Sequence, residues 1–455
     1  RYHCRPSVSP AKRREVLKRV RMKITTAFVI SHEPDANRSS KDKATSIIAL
    51  TLTRALGRAG IRVIRVHPNL YDDSLASRYC DSVEICPNLY ESEYALTEFL
   101  LEMAGRYEGR NVLIPASDDC SLYMARHAQR LDTAFALMNP SASTMESLKD
   151  KRRQYELAEA TGVPIPETYF PATEAEVVEI ASRLRGFPYI IKPLEAQKWR
   201  LRDYEDVAKG QKAIVVEDAE QLVAEYRRIV THDSDIMIQE IINGRDEHLL
   251  TFLGYCSEDK KPLAHCVRRK LRQSPIDFGY CTATVSCHDK TVETYSKRLL
   301  QQCNYTGIVG IEFKYDPHID DYKLIEINTR PVNTTGLAIG AGVNLPLIGF
   351  RDVANEEQDV IDDWQDGVIW IRLSADFTAA RELRRCDRLT YAGWLRSIRG
   401  KRVHAIFAFD DLTPFLHFYA RYVARQLGRV FRYPRRLVLM RGPRRLLSRL
   451  SSWTL

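Results

Sequence analysis

Two glutamates, Glu312 and Glu326, stand fourteen residues apart in the segment GIVGIEFKYDPHIDDYKLIEINTRP, residues 307–331. The apolar runs on either side of DPHIDD predict two strands joined by a polar, proline-containing turn. Side chains alternate faces along a strand, so Glu326, Asn328 and Arg330 project to one side while Ile325 and Ile327 fill the other. A hairpin symmetric about residue 319 sets Glu312 directly opposite Glu326. Two carboxylates facing each other across a strand pair repel, and a divalent cation between them removes that cost. Mg2+ suits the position, because it takes one or two carboxylates and completes its shell with water and phosphate oxygens. A solvated acidic strand face is the alternative for this hairpin taken alone.

Other segments carry groups that phosphate chemistry needs. Lys192 ends the apolar strand YIIKP, where an ammonium can reach a phosphate, although a lone lysine there also serves as a strand-edge gatekeeper. Lys151 sits in KDK at the head of a helix, a place equally suited to a solvated lysine. The segment IMIQEIINGRDEHLLTF, residues 236–252, is an apolar strand leading into a polar turn, with Glu240 and Glu247 seven residues apart. Backbone groups of such a connecting strand can read an adenine edge and an acid can accept from ribose hydroxyls; either glutamate alone is an ordinary surface residue. In VRRKLRQSP, residues 267–275, Arg269, Lys270 and Arg272 lie on a strand whose alternation puts Lys270 and Arg272 on one face, able to clamp an anionic substrate or simply to be solvated.

The order Lys151, Lys192, Gln239-Glu240-Ile241-Ile242, Glu247, Glu312, Glu326, Asn328, Arg330 resembles the ATP-grasp superfamily over residues 25–350. The resemblance implies a Rossmann-like first domain followed by a two-lobed ATP-grasp fold. It implies that Lys151 and Lys192 hold ATP phosphates, that Gln239, Glu240, Ile241 and Ile242 receive adenine and that Glu247 binds ribose. Glu312, Glu326 and Asn328 would ligate Mg2+ or Mn2+, with Lys192 and Arg330 acting on the transferring phosphate. The text VRRKLRQSP, together with TRALGRAGIRVIRV at 53–66 and GWLRSIRGKR at 393–402, is most similar to the D-aspartate-ligase-like and polysaccharide-cluster carboxylate–amine ligases. What this implies is an ATP-dependent ligase that makes an acyl phosphate, passes it to an amino-acid-like amine and releases ADP and phosphate. A carboxylase, a kinase-like phosphotransferase and a nucleotide-binding regulatory protein are the alternatives. One feature departs from the family: KPLEAQKWRLRDYEDVAKGQK, residues 192–212, has only Gly210 where a glycine-rich phosphate lid is usual, so either side chains such as Lys198, Arg200 or Lys212 hold phosphate or the segment orders only when substrate binds.

These residues need elements to position them, and the sequence predicts an α/β and α+β chain. ITTAFVIS at 24–31, a helix over 42–59, IRVIRV at 61–66, a helix over 92–106 and NVLIPAS at 111–117 alternate in the manner of a parallel layer. No glycine follows the first of these strands until Gly57, so the dinucleotide fingerprint is missing and a nicotinamide enzyme is excluded. The expected divisions are a basic extension at 1–23, the Rossmann-like unit at 24–139, the ATP-grasp unit at 140–350 and a C-terminal appendage at 351–455.

The formal charge of +9 over 455 residues is concentrated at the ends. Residues 1–23 hold nine Lys and Arg against Glu15, and residues 412–455 hold ten Arg and no acid, which leaves the body between them with 49 bases against 58 acids. An acidic body argues against nucleic acid as the partner. The arginines between 421 and 449 interleave with aromatic and aliphatic residues, an amphipathic pattern suited to peripheral contact with anionic lipid. The ten cysteines form no C-x-x-C pair, which reads as reduced thiols in a cytoplasmic protein.

Overall fold

A computed structural model describes residues 26–32, 46–184, 186–195, 199, 207, 213–257 and 262–426. The basic extension at 1–23, Lys198, Arg200, Lys212 and all the tail arginines from 429 onward lie outside the described residues.

The first layer is a parallel sheet of β1 (Thr26–Ile30), β2 (Arg62–His67), β3 (Ser82–Ile85), β4 (Asn111–Pro115) and β5 (Phe135–Leu137), in the order β3-β2-β1-β4-β5. Every residue of β1 and β4 is buried, as expected for a parallel strand covered on both faces by crossover helices. The helix Ile47–Arg58 returns β1 to β2; Ser46 caps it by accepting the Ala49 N–H at 3.4 Å.

The next layer is a four-stranded sheet of β6 (Thr168–Tyr169), β7 (Tyr189–Pro193), β8 (Ile214–Val216) and β9 (Ile236–Glu240), ordered β6-β9-β7-β8. Helices Glu174–Arg183 and Ala219–Val230 pack against it through Val177, Leu222 and Ile229, which meet Ile191, Val216 and Ile238 of the sheet.

The largest sheet has seven strands: β10 (Leu249–Cys256), β11 (Pro262–Ser274), β12 (Tyr280–Cys287), β13 (Gly307–Asp316), β14 (Asp321–Asn328), β15 (Ile369–Ile371) and β16 (Arg402–His404), in the order β14-β13-β10-β11-β12-β15-β16. The stretch expected to be an appendage therefore supplies two strands of this sheet. Its β15 pairs antiparallel with β12 and parallel with β16. One hydrophobic core runs from Val29 and Val112 of the first layer through Leu253 and Ile311 to Leu337 and Trp370, so packing does not break at residues 139 or 350. Asp411 reinforces this closure from the C-terminal side: buried, it accepts from Arg54 Nε at 2.8 Å and from the Ser77 hydroxyl at 2.7 Å.

Two irregularities re-aim side chains. Glu312 pairs with Glu326 but Phe313 pairs with Leu324, so Ile325 is an extra residue bulged out of β14. On β11, Lys270 pairs with Thr284 and Arg272 with Ala283, which makes Leu271 the extra residue. The turn from β11 to β12 folds back so tightly that a Cβ on Gly279 would lie 2.1 Å from the Pro275 carbonyl oxygen.

Candidate active site

A cleft of about 380 Å3 opens between the four-stranded and seven-stranded sheets, with a further wall from the first layer at Asp118 and Asp119. Glu312 and Glu326 face each other across β13 and β14 in this cleft, in the register expected from the turn. The positive charge that such a pair requires comes from both sides. Lys270 Nζ lies 3.1 Å and Arg268 4.0 Å from Glu312, and Lys151 Nζ lies 3.5 Å from Glu326. Burial, and after it Glu326, pushes the Glu312 carboxyl up, but Lys270 and Arg268 together outweigh them and the group sits below its ordinary range.

Lys151 owes its position to Asp150, whose extended backbone ends the helix Ala142–Lys149 and whose carboxylate caps the helix Lys151–Ala160 by accepting from Arg152 N–H at 2.7 Å. One helical turn further on, Gln154 and Tyr155 fix that helix to β14. Gln154 accepts from Ile327 N–H at 2.8 Å and donates to Ile327 O at 3.1 Å, while the Tyr155 hydroxyl donates to Ile325 O at 3.1 Å. Tyr155 in turn accepts from the Gln239 amide at 2.9 Å, and the Gln239 carbonyl oxygen accepts from Lys192 Nζ at 3.0 Å. A continuous hydrogen-bonded chain thus joins Lys192 on β7 to the bulge beside Glu326.

Glu240, Ile241 and Ile242 line the cleft where β9 leaves the small sheet. The Glu240 carboxylate accepts from Glu167 N–H at 2.8 Å and from Lys323, and Lys314 donates to Ile242 O at 2.6 Å. Burial lowers the Lys314 ammonium from its ordinary range. Arg330 also lines the cleft, held by a two-point contact of 2.7 Å each with Asp118, across the boundary with the first layer. Burial pulls its guanidinium down, and Asp118 more than restores it.

Three of the expected site residues lie outside the cleft lining. Glu247 is exposed and is not part of the cleft lining. Arg269 is also exposed, on the opposite face of β11 from Arg268 and Lys270. Arg272 does not share the face of Lys270, because the extra Leu271 inverts the alternation; its guanidinium is buried on Asp376 at 2.8 and 2.9 Å, and Gln273 takes the place in the cleft. Arg268, Gln154, Tyr155 and Asp118 escaped sequence reasoning. The first three carried a signal: Arg268 is two residues from Lys270 on a strand, and Gln154 and Tyr155 are three and four from Lys151 on a helix.

The donor set suits a hard divalent cation. Among the described residues no three His, Cys, Asp or Glu side chains gather at one point. Glu312 and Glu326 instead bring two carboxylates, and Asn328, whose amide nitrogen donates to Glu326 at 3.1 Å, brings an amide oxygen. All are oxygen ligands, few in number, as Mg2+ or Mn2+ beside phosphates requires.

Comparison with known proteins points the same way. Residues 255–373 match the family described as ATP-grasp in the biosynthetic pathway with Ter operon. The chain is 26% identical over 281 residues to the D-aspartate ligase of Enterococcus faecium, an alignment spanning 60% of this chain and 66% of that enzyme, just short of two thirds. It is 25% identical over 229 residues to the C-terminal section of the carbamoyl phosphate synthase large chain of Methanopyrus kandleri, spanning 48% of this chain and 40% of that protein. In architecture it is similar to the biotin carboxylase domain of Hydrogenobacter thermophilus 2-oxoglutarate carboxylase, with a TM-score of 0.58 at 14% identity, covering 76% of this chain and 73% of that one.

Proposed function

From the premise that this chain carries an ATP-grasp domain, we propose that it is an ATP-dependent carboxylate–amine ligase working through an acyl phosphate. The observation that carries the reading is the facing pair Glu312 and Glu326 in one cleft with Lys151 and Lys192. Glu312, Glu326 and Asn328 would hold Mg2+ or Mn2+, which when bound draws charge from phosphate oxygens. Lys151 and Lys192 would orient the phosphates, and the backbone from Glu240 to Ile242 would receive the adenine. Arg268 and Lys270, with Arg330, present cations towards an attacking carboxylate, which removes the repulsion between two anions.

The carboxylate oxygen attacks the γ-phosphorus and ADP departs. The amine nitrogen then attacks the acyl carbon and the carbon–oxygen bond to phosphate breaks; an ammonium substrate gives up two protons in all, one leaving with the phosphate and one released to solvent. The similarity to D-aspartate ligase favours an amino-acid carboxylate as donor. A carboxylase-type reaction on bicarbonate is the second reading, favoured by the match to a carbamoyl phosphate synthase.

Phosphate release measured with ATP and Mg2+ against a panel of amino acids and amines should require both a carboxylate and an amine, with a product whose mass is their sum less one water. ADP formation that depends on bicarbonate instead would replace the ligase reading with the second. The arginine-rich tail is proposed, on its sequence alone, to touch anionic lipid. Sedimentation with anionic but not neutral vesicles, lost at high salt, is its expected outcome.

A further inference from the structure

A second cavity, of about 240 Å3, lies between β15, the start of helix Leu373–Arg385, the residues at and after β16 and the helix Thr413–Gln426. It shares no lining residue with the cleft. Its walls are largely apolar, with Ile371, Ile406, Phe407, Phe415 and Phe418 among them.

One permanently charged group stands in that wall. Arg372 precedes the helix without capping it, and its Nε is shut off from solvent with no hydrogen-bond partner. Among the described residues this side chain makes no ion pair. Burial alone pulls its guanidinium down, with no charged neighbour acting in either direction, yet a guanidinium stays protonated in a protein. Arg372 is half-buried, whereas the fully buried Arg54, Arg65 and Arg272 each have a carboxylate: Asp411, Asp72 and Asp376 respectively. A guanidinium half withdrawn from water, its Nε sealed and unsatisfied, is left without a partner at some cost, and an open cavity beside it is where one can enter. His404, which lines the wall together with the Tyr419 phenol, is lowered by burial and by Arg402, so at neutral pH it adds hydrogen-bonding capacity and no charge.

We propose that this cavity binds a small organic carboxylate, its anionic end paired with Arg372 and its apolar body covered by the phenylalanines. A single cation among apolar walls matches a monoanion; inorganic phosphate would keep an uncompensated charge and leave the aromatic surface uncovered. The site is separate from the cleft in which the proposed reaction runs, so it can be tested whether or not that reaction is found.

Benzoate is the probe, with benzyl alcohol as its neutral counterpart and inorganic phosphate as the bare anion. Thermal melting and calorimetric titration of the full chain should show benzoate binding about tenfold or more tightly than either. Arg372→Leu should abolish that preference and melt no lower than the parent, because it removes a half-buried charge and its unsatisfied Nε. Lys192→Ala, in the cleft, should leave benzoate binding intact. Ala405→Leu, which fills the cavity without touching the charge, should also abolish binding and keeps the test open if Arg372→Leu does not fold. Equal binding of benzoate and benzyl alcohol, preference for phosphate, benzoate binding that survives in Arg372→Leu or Ala405→Leu, or its loss in Lys192→Ala would overturn the assignment.

Discussion

At one end of the seven-stranded sheet Glu312 and Glu326 meet their cations at 3.1 and 3.5 Å with side chains 16% and 31% exposed to the cleft. On β11 of the same sheet, Arg272 meets Asp376 at 2.8 Å with both side chains essentially sealed, and Thr282 and Trp394 add further hydrogen bonds to the same carboxylate. Both are acid–base contacts between neighbouring elements, but they differ in what could replace the partner. Lys151 and Lys270 stand where a phosphate or carboxylate can take over from the glutamates, and a metal can take over from the lysines. Arg272 can be relieved by nothing from solvent, so its contact holds the helix Leu373–Arg385 to the sheet. Charge on a strand serves chemistry when its partner is exchangeable and serves the fold when it is not.

The comparison breaks most visibly at the sealed pair. Arg272→Ala leaves Asp376 buried and uncompensated, for which a loss of about 3–5 kcal/mol in denaturant unfolding is expected, with the KM values of the folded fraction unchanged. Near-native stability combined with a raised KM for the carboxylate substrate would make Arg272 a substrate residue after all. At the open pair the expectation reverses. Glu326→Gln should fold normally and bind nucleotide with modest loss, while turnover falls ~10²–10³-fold, and Glu312→Gln should behave alike. Near-native ADP production by both variants would remove the hairpin from the chemistry.

The hairpin was legible in sequence because a polar turn between two apolar runs fixes a centre, and a centre fixes which residues face each other; Glu312 and Glu326 pair accordingly. The β11 bulge was not, since an extra leucine in a run of basic residues leaves the apolar pattern unchanged, and the acid that claims Arg272 lies 104 residues later. Lys151, Lys192 and the strand from Gln239 were readable as types at a spacing. Their connection through Tyr155 was not, because it depends on a helix from one layer crossing a strand from another. The strands β3, β15 and β16 are three or four residues long and carry no periodicity to detect; pairing with longer neighbours makes them strands.

Asp246 sharpens the comparison at its finest grain, because it is buried near the same end of β11 as Arg272's partner but meets an amide rather than a guanidinium. Its carboxylate accepts from Gln273 Nε2 at 2.8 Å. Burial raises its pKa from the ordinary 3.8, and the lowering effects of Lys270 and Gln273 fall short of cancelling it. The folded protein therefore holds this proton more tightly than the unfolded chain does. Stability falls as pH rises from about the ordinary carboxylate value through the raised folded one, and the cost is complete above both. Asp246→Asn keeps an acceptor for Gln273 and removes the charge. It should raise stability at neutral pH by ~0.5–2 kcal/mol, the range of a single stabilising substitution. The gain should shrink to nothing on acidification below the ordinary carboxylate pKa, where the parent is protonated in both states. Denaturant unfolding of parent and variant between neutral pH and that limit measures it. A variant less stable at neutral pH would mean that the Lys270 charge already compensates Asp246, and would place this acid with Asp376 among the paired ones.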